Sequence, residues 1–149
     1  MTTTNPDAAA GQIHVVSQQM IHLGGGKVIN ITSAPGHHST EGFSAYGASK
    51  AALEQLTQTL AHKLGPHGIH VNCIAMGRIV TETLAAGEFW TAERRGAVGP
   101  QIAIGRVGDE DDVAPLAVFL ASDANDYVNG ATTALDGGGY LHSPLEAAP

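Results

Sequence analysis

Two short apolar runs on either side of a long amphipathic segment restrict this chain to folds built on a parallel sheet. Residues 27–33 carry no charge after Lys27 and predict a strand that is covered on both faces. Residues 45–64 repeat leucine at helical spacing and predict a helix, and residues 69–75 predict a second strand. Two strands connected through a helix pair in parallel, and such crossovers are right-handed.

The pattern extends to both sides of this unit. Residues 7–23 predict an amphipathic helix that ends at three consecutive glycines. Residues 113–121 predict a third helix, and residues 132–135 predict a short last strand. The apolar face predicted for the first helix consists of Ile13, Val16, Met20 and Leu23.

The connection between the second strand and the third helix has little periodicity. A weakly patterned stretch this long is usually functional, so residues 78–108 are predicted to form a lid over the substrate region. The acidic residues 109–112 supply N-caps for the third helix. Pro115 lies in the first turn if Asp112 is the N-cap, and it kinks the helix if the helix begins earlier.

The predicted element order is helix–strand–helix–strand–lid–helix–strand, within a single domain over residues 1–149. This order predicts the α/β class, as a partial doubly wound (Rossmann-like) parallel sheet with flanking helices, similar to the second half of a nucleotide-binding sheet. In such sheets ligands bind at the carboxyl ends of the strands.

Composition and charge exclude several classes of function. The 149 residues carry a formal net charge of −7, and the few basic residues form no cluster, which argues against nucleic acid or a membrane surface as partner. The N-terminus lacks a basic and apolar leader, and no apolar stretch is long enough to span a bilayer. The single Cys73 lies in an apolar run and predicts a buried, inert thiol. We therefore expect a cytoplasmic location.

Tyr46, Lys50 and Ser33 form the candidate reactive group. Tyr46 and Lys50 are four residues apart, so their side chains share one helical face with Cβ atoms about 5–6 Å apart. A lysine ammonium beside a phenol favours the phenolate, which suits acid/base chemistry. Ser33 ends the first predicted strand, thirteen residues before Tyr46. Together these groups suit proton transfer to or from an alcohol or carbonyl oxygen, although the pair alone also fits a solvated helix face.

No metal site is predicted. His37 and His38 are adjacent, but no third ligand lies at a zinc-like spacing, so a solvated loop or the rim of a substrate pocket is favoured. The acidic residues 109–112 are better explained as helix caps. Phe89 and Trp90 fit either an apolar pocket wall or core packing.

Five motifs in order resemble the short-chain dehydrogenase/reductase family over nearly the whole chain. They include that family's serine strand, its Tyr-x-x-x-Lys motif, the next strand with its turn, and a C-terminal signature. Met76 stands where the family usually has proline. The matching segments are residues 27–33, 46–50, 71–77, 105–123 and 136–138.

The resemblance implies an oxidoreductase that uses NAD or NADP and transfers hydride between the nicotinamide and a small carbonyl or secondary-alcohol substrate. Tyr46 would be the general acid/base, and Ser33 would bind the substrate oxygen. Lys50 would favour the phenolate and bind the nicotinamide ribose. Asn5 lies near the position of an asparagine that holds a relay water, although it also fits a frayed terminus. The implied cofactor contacts are Tyr46, Lys50, Gly77, Ile79 and Thr81.

The family's glycine-rich strand-to-helix turn does not precede residues 27–33, and the position that selects NAD or NADP is also missing. The chain is therefore expected to correspond to the C-terminal half of such an enzyme. One hypothesis is an active oxidoreductase. The alternative is a catalytically silent fragment that acts as an interaction module or needs a separate N-terminal half. The family's subunit contacts, through helices equivalent to residues 7–23 and 46–64, imply a homo-oligomer, a dimer or a tetramer.

Overall fold

The computed structural model describes residues 6–38, 41–82 and 88–141, which contain three strands and four helices longer than one turn. The lid region contains the short helix α3, which the sequence pattern did not predict, and the other elements match their predicted positions within a few residues. In chain order the elements are α1 (Pro6–His22), β1 (Gly26–Ser33), α2 (Ser44–Leu64), β2 (Ile69–Met76), α3 (Ala92–Val98), α4 (Glu110–Ala121) and β3 (Thr132–Leu135).

The three strands form one parallel sheet in the order β1–β2–β3, which confirms the predicted α/β class. Ser33 at the end of β1 pairs with Met76 at the end of β2, and Met76 pairs with Leu135 at the end of β3. The carboxyl ends of all three strands therefore meet at one edge, where side chains from different strands can act together.

Helices α1 and α2 cover one face of the sheet. Ile13 of α1 and Leu64 of α2 are buried against Ile69 and Val71 of β2, with Ala61 completing the cluster. Burying a side chain of this size contributes roughly 1.5–3 kcal/mol each, so this cluster is a main source of stability on this face.

The predicted apolar face of α1 was partly wrong. Val16 and Leu23 are exposed, whereas Ser17 is buried and its hydroxyl donates to the carbonyl of His14 at 2.9 Å. That bond satisfies the hydroxyl inside the helix, so the small Ser17 can face the core while Met20 packs beside it.

Helix α4 lies on the opposite face. Side chains alternate along a strand, and Asn30 points to α2 because its amide donates to Thr57. Lys27 has the other parity, and its ammonium donates to the carbonyl of Asn125, in the loop that follows α4. Since the strand order follows the chain, α2 and α4 on opposite faces make the two crossovers opposite in hand. The prediction of right-handed crossovers is therefore wrong for one of them.

This second face is only partly covered, contrary to the prediction for the first strand. Ile31 of β1 remains 40% exposed, and on α4 Val118 and Phe119 remain 66% and 40% exposed. β1 is also an edge strand of the sheet, so one side of its backbone has no strand partner among the described residues.

Two asparagines attach the loop after α4 to β2, and a third, Asn125, lies within that loop. Asn72 donates to the carbonyl of Val128 at 2.8 Å and accepts from the amide of Ala131 at 3.0 Å. Asn129 accepts from the amide of Val71 at 2.9 Å, and Asn125 is fully buried. Side chains thus supply hydrogen bonds that a longer β3 would otherwise make.

The N-cap of α4 is Asp109 rather than Asp112. The Asp109 carboxylate accepts from the amides of Asp111 and Asp112, and the Asp112 carboxylate in turn accepts from the Asp109 amide. Pro115 is therefore inside the helix and cannot donate to the carbonyl of Asp111. The reciprocal capping box favours the earlier start in spite of that loss.

Among the described helices, none combines the length and apolarity needed to cross a bilayer.

Candidate active site

Tyr46 and Lys50 lie in the first two turns of α2, and the structure brings their side chains together. The Lys50 ammonium is 5.5 Å from the centroid of the Tyr46 ring. Lys50 is only 7% exposed, and its Nζ donates to the carbonyl of Ile31 at 3.3 Å. The rings of Tyr46 and Phe43 form a T-shaped pair with centroids 5.9 Å apart. A buried cation beside a phenol is thus held at the end of β1.

Ser33 is the last residue of β1, at the carboxyl edge of the sheet. Its hydroxyl donates to the carbonyl of Met76 at 3.3 Å, across the β1–β2 pair. Lys50 binds Ile31, two residues earlier on the same strand. Ser33 and the Tyr46–Lys50 pair therefore belong to one region, at the end of β1 and the start of α2.

Gly77, Ile79 and Thr81 follow β2 along the same edge. The Gly77 amide donates to the carbonyl of Leu135 at 3.0 Å, and a Cβ at Gly77 would lie 2.6 Å from that of Asp136, so only glycine fits. Ile79 is buried and forms an isolated bridge with Gly108. The segment that leads to the half-buried Thr81 is thus fixed against the end of the lid region.

Asn5 lies outside the described residues, so its assignment remains a prediction from the sequence.

Glu54 is a residue at this end of the sheet that the sequence analysis did not identify. It lies one turn after Lys50 on α2 and accepts from the Thr32 hydroxyl at 2.8 Å. Its carboxylate also contacts His37 Nδ1 at 3.1 Å. The spacing of four residues from Lys50 was the only sequence signal for it, because its partners belong to distant elements.

A column of planar side chains spans the three strand ends. The rings of His38 and Tyr140 stack with centroids 5.3 Å apart, and the Arg78 guanidinium lies 5.6 Å from the centroid of the Tyr140 ring. His37 contacts the His38 ring edge-on. Within the part of the chain that the structure describes, no three His, Cys, Asp or Glu side chains cluster as metal ligands.

A cavity of about 200 Å³ opens beside this column. Both nitrogens of the Arg106 fork bind the Asp112 carboxylate at 2.6 Å, and this pair forms part of the wall. The Arg106 hydrogen bonds, helped by the amide of Asp109, hold the pKa of Asp112 well below its usual range. The remaining lining is mostly apolar: Ile79, Ile104, Leu135 and Gly137.

Comparisons with known proteins agree with this fold. A family model described as enoyl-(acyl carrier protein) reductase matches residues 4–140. Protein FixR of Bradyrhizobium diazoefficiens is 47% identical over 118 residues, which make up 78% of this chain and 40% of that protein.

Two solved structures with bound cofactors are also similar. Gluconate 5-dehydrogenase from Burkholderia cenocepacia, in complex with NADP and tartrate, has a TM-score of 0.78 at 33% identity, over 88% of this chain and 51% of that one. A 7α-hydroxysteroid dehydrogenase, complexed with NADH and 7-oxo glycochenodeoxycholic acid, has a TM-score of 0.77 at 34% identity, over 85% and 49%.

The chain belongs to the short-chain dehydrogenase/reductase family, an oxidoreductase family with a Rossmann-like fold. It spans about half the length of the curated relatives it matches.

Proposed function

We propose that this protein is an oxidoreductase that uses NAD or NADP and interconverts a small carbonyl compound and the corresponding secondary alcohol. The observation that carries the proposal is the buried Lys50 ammonium, 5.5 Å from the Tyr46 ring and bonded to the strand that ends in Ser33. A cation, a phenol and a hydroxyl at the carboxyl edge of a parallel sheet suit proton transfer at a substrate oxygen.

In this proposal each side chain has a separate task. Tyr46 holds or releases the proton at its phenolic oxygen, and Ser33 orients the substrate oxygen by a hydrogen bond. Lys50 stabilises negative charge on the phenol, an effect that is strengthened by its burial. Asn5 is the candidate for holding a relay water.

The residues present fit the nicotinamide end of such a cofactor. The nicotinamide supplies or accepts the hydride when it is bound. Lys50 would donate to the ribose hydroxyls beside Tyr46, and Gly77, Ile79 and Thr81 would form the opposite wall. The fit is supported by the chemistry of the donor, since the buried Lys50 ammonium lies at the carboxyl edge of the sheet, where it can donate to a ribose hydroxyl. Solved relatives hold NADP or NADH, so both cofactors belong in the test.

The test combines cofactor binding with turnover. NADH and NADPH are titrated against the full chain and followed by nicotinamide fluorescence, and reduction of a panel of small ketones and aldehydes is then measured. Tyr46→Phe should lower turnover by roughly 10²–10⁴-fold without changing the fold. Tyr127→Phe is the matched control, because Tyr127 is fully exposed. Equal turnover in the two variants would remove Tyr46 from the mechanism.

A second candidate function is association with another polypeptide, including a second copy of this chain. It is favoured by the edge strand β1 together with exposed Ile31, Val118 and Phe119. Unpaired strand edges and apolar patches promote association. Light scattering tests it: a strict monomer at all concentrations would count against a homo-oligomer. We propose a cytoplasmic location for either function, in keeping with the buried free thiol of Cys73.

A further inference from the structure

Two side chains of α2, one helical turn apart, hold consecutive residues at the end of β1. Lys50 Nζ donates to the carbonyl of Ile31 at 3.3 Å, and the Thr32 hydroxyl donates to Glu54 Oε1 at 2.8 Å. Ser33 follows directly along the chain. Lys50 and Glu54 therefore fix the two residues that precede Ser33, and with them the backbone position of Ser33.

Glu54 also contacts the loop that follows β1. Its two carboxylate oxygens lie 3.2 and 3.1 Å from His37 Nδ1. A Cβ at Gly36 would lie 2.9 Å from Glu54 Oε1, so the loop backbone passes directly against the carboxylate. The amides of His37 and His38 both donate to the carbonyl of Ala34 at 3.0 Å, which closes the loop into a compact turn.

The Glu54 carboxylate is largely shielded from water, so its hydrogen bonds must replace those that water would make. The Glu54 side chain is 13% exposed, and a shielded carboxylate is costly unless hydrogen-bonded partners compensate for the lost water. Its partners come from two different places, the Thr32 hydroxyl on β1 and the His37 ring in the loop. A single side chain therefore ties a helix, a strand and a loop together.

We propose that Glu54 is a positioning residue that sets Ser33 relative to Tyr46. It binds the residue immediately before Ser33 and the loop four residues after it, while Tyr46 and Lys50 project from the same helix as Glu54. This inference rests on the proposed function, in which Ser33 binds the substrate oxygen. Misplacement of a reactive group by about 1 Å lowers rates by up to about 100-fold, which sets the scale of the expected effect.

The first test is kinetic and uses the full chain with NADPH and a turned-over ketone. Glu54→Ala should lower kcat by about 10–100-fold and leave the KM for NADPH unchanged, because Glu54 is not among the proposed cofactor contacts. Glu54→Gln keeps an acceptor for the Thr32 hydroxyl and should retain kcat within about threefold of wild type. The control is Gln55→Ala, at an exposed position on the same helix. Equal impairment of the Gln and Ala variants, or a wild-type kcat for Glu54→Ala, would overturn the proposal.

A double-mutant cycle separates positioning from general loosening of the fold. Thr32→Val removes the donor to Glu54 and should lower kcat, but by no more than Glu54→Ala, which also removes the contact with His37. The double variant should then lose no more than the worse single variant, because both remove the same bond. Additive losses would show that the two residues act separately and would contradict the proposal.

A second measurement does not depend on turnover. Hydrogen exchange at the amides of His37 and His38 reports opening of the loop that Glu54 holds. Glu54→Ala should accelerate it by about 10-fold or more, and Gln55→Ala should not. Unchanged exchange in Glu54→Ala would overturn the proposal whether or not the chain is active. A wild-type chain that turns over no substrate would instead contradict the proposed function, and the exchange result would still decide the role of Glu54.

Discussion

The two faces of the sheet are held in different ways. Beneath α2, the β1 side chains Asn30 and Thr32 reach across to hydrogen-bond Thr57 and Glu54. On the α4 face, Lys27 and Asn72 make their side-chain bonds from the amino-terminal halves of β1 and β2, and Ile31 near the carboxyl end of β1 stays 40% exposed. Orientation at the candidate site is thus fixed from the α2 side, and the α4 side offers a surface for association.

The largest expected effect is that of replacing Lys50, because it lies on α2 and so on the side of the sheet that orients the candidate site. Lys50→Met keeps the length of the side chain but removes the ammonium beside Tyr46, so turnover should fall by roughly 10²–10⁴-fold. Steady-state kinetics measure the loss, and Lys63→Met, at an exposed position late in α2, is the control. Activity equal to that of the control would show that the buried cation plays no part in the reaction.

Substitution of Thr57 tests whether the α2 face of the sheet contributes more to the free energy of unfolding than the α4 face. Thr57 is fully buried, and Thr57→Val leaves the Asn30 amide without its acceptor, which costs about 1–3 kcal/mol. Val118→Ala, on the exposed surface of α4, should change the free energy of unfolding by less than about 0.5 kcal/mol. Urea denaturation measures both. Equal costs would mean that the two faces contribute alike.

The pKa of the Cys73 thiol depends on its burial at the α2 face of the sheet. Desolvation by burial raises the pKa of this thiol. The unfolded chain therefore loses the proton first, and stability should fall as pH rises above the ordinary thiol value of about 8.5. Cys73→Ala should flatten this decline in denaturation curves measured at a series of alkaline pH values. In addition, a thiol reagent should modify the native protein much more slowly than the unfolded chain.

The smallest expected effect involves Asp112, at the start of α4. The Arg106 hydrogen bonds hold the pKa of Asp112 below its usual range, so the unfolded chain binds a proton first as the solution becomes acidic. This contribution is present above the ordinary carboxylate pKa of about 4 and is lost as pH falls. Because the pair is solvated, the change should be slight. Arg106→Gln should reduce the decrease in Tm that thermal melts show as pH falls. A pH profile of Tm identical to that of the wild type would contradict this prediction.

The sequence predicted the parallel sheet well because each element carries its own local signal. Strand and helix positions followed from apolar periodicity and glycine stops, as at residues 24–26. The start of α4 could not be fixed, because the choice between Asp109 and Asp112 depends on a reciprocal hydrogen bond. The α1 face was misjudged because Ser17 satisfies its own hydroxyl and so can be buried.

The candidate site was predictable only in part, for the same reason. Tyr46 and Lys50 are neighbours on one helix, so their spacing alone predicts that they meet. Glu54 meets Thr32 and His37 across 22 and 17 residues, and only the packing of α2 on β1 creates those contacts. The crossover of opposite hand was equally invisible, since no local pattern records the face on which α4 packs.

The hydrogen bonds of Asn72 and Asn129, which join β2 to the loop before β3, also bear on the order in which the molecule folds. They join positions 56 to 59 residues apart, whereas α2 meets the adjoining strands over shorter loops. Closing the longer loop costs more chain entropy before any contact compensates, so we expect β1, α2 and β2 to fold first. The last strand should then dock onto an existing template, and it should be the first part of the sheet to detach when the protein unfolds.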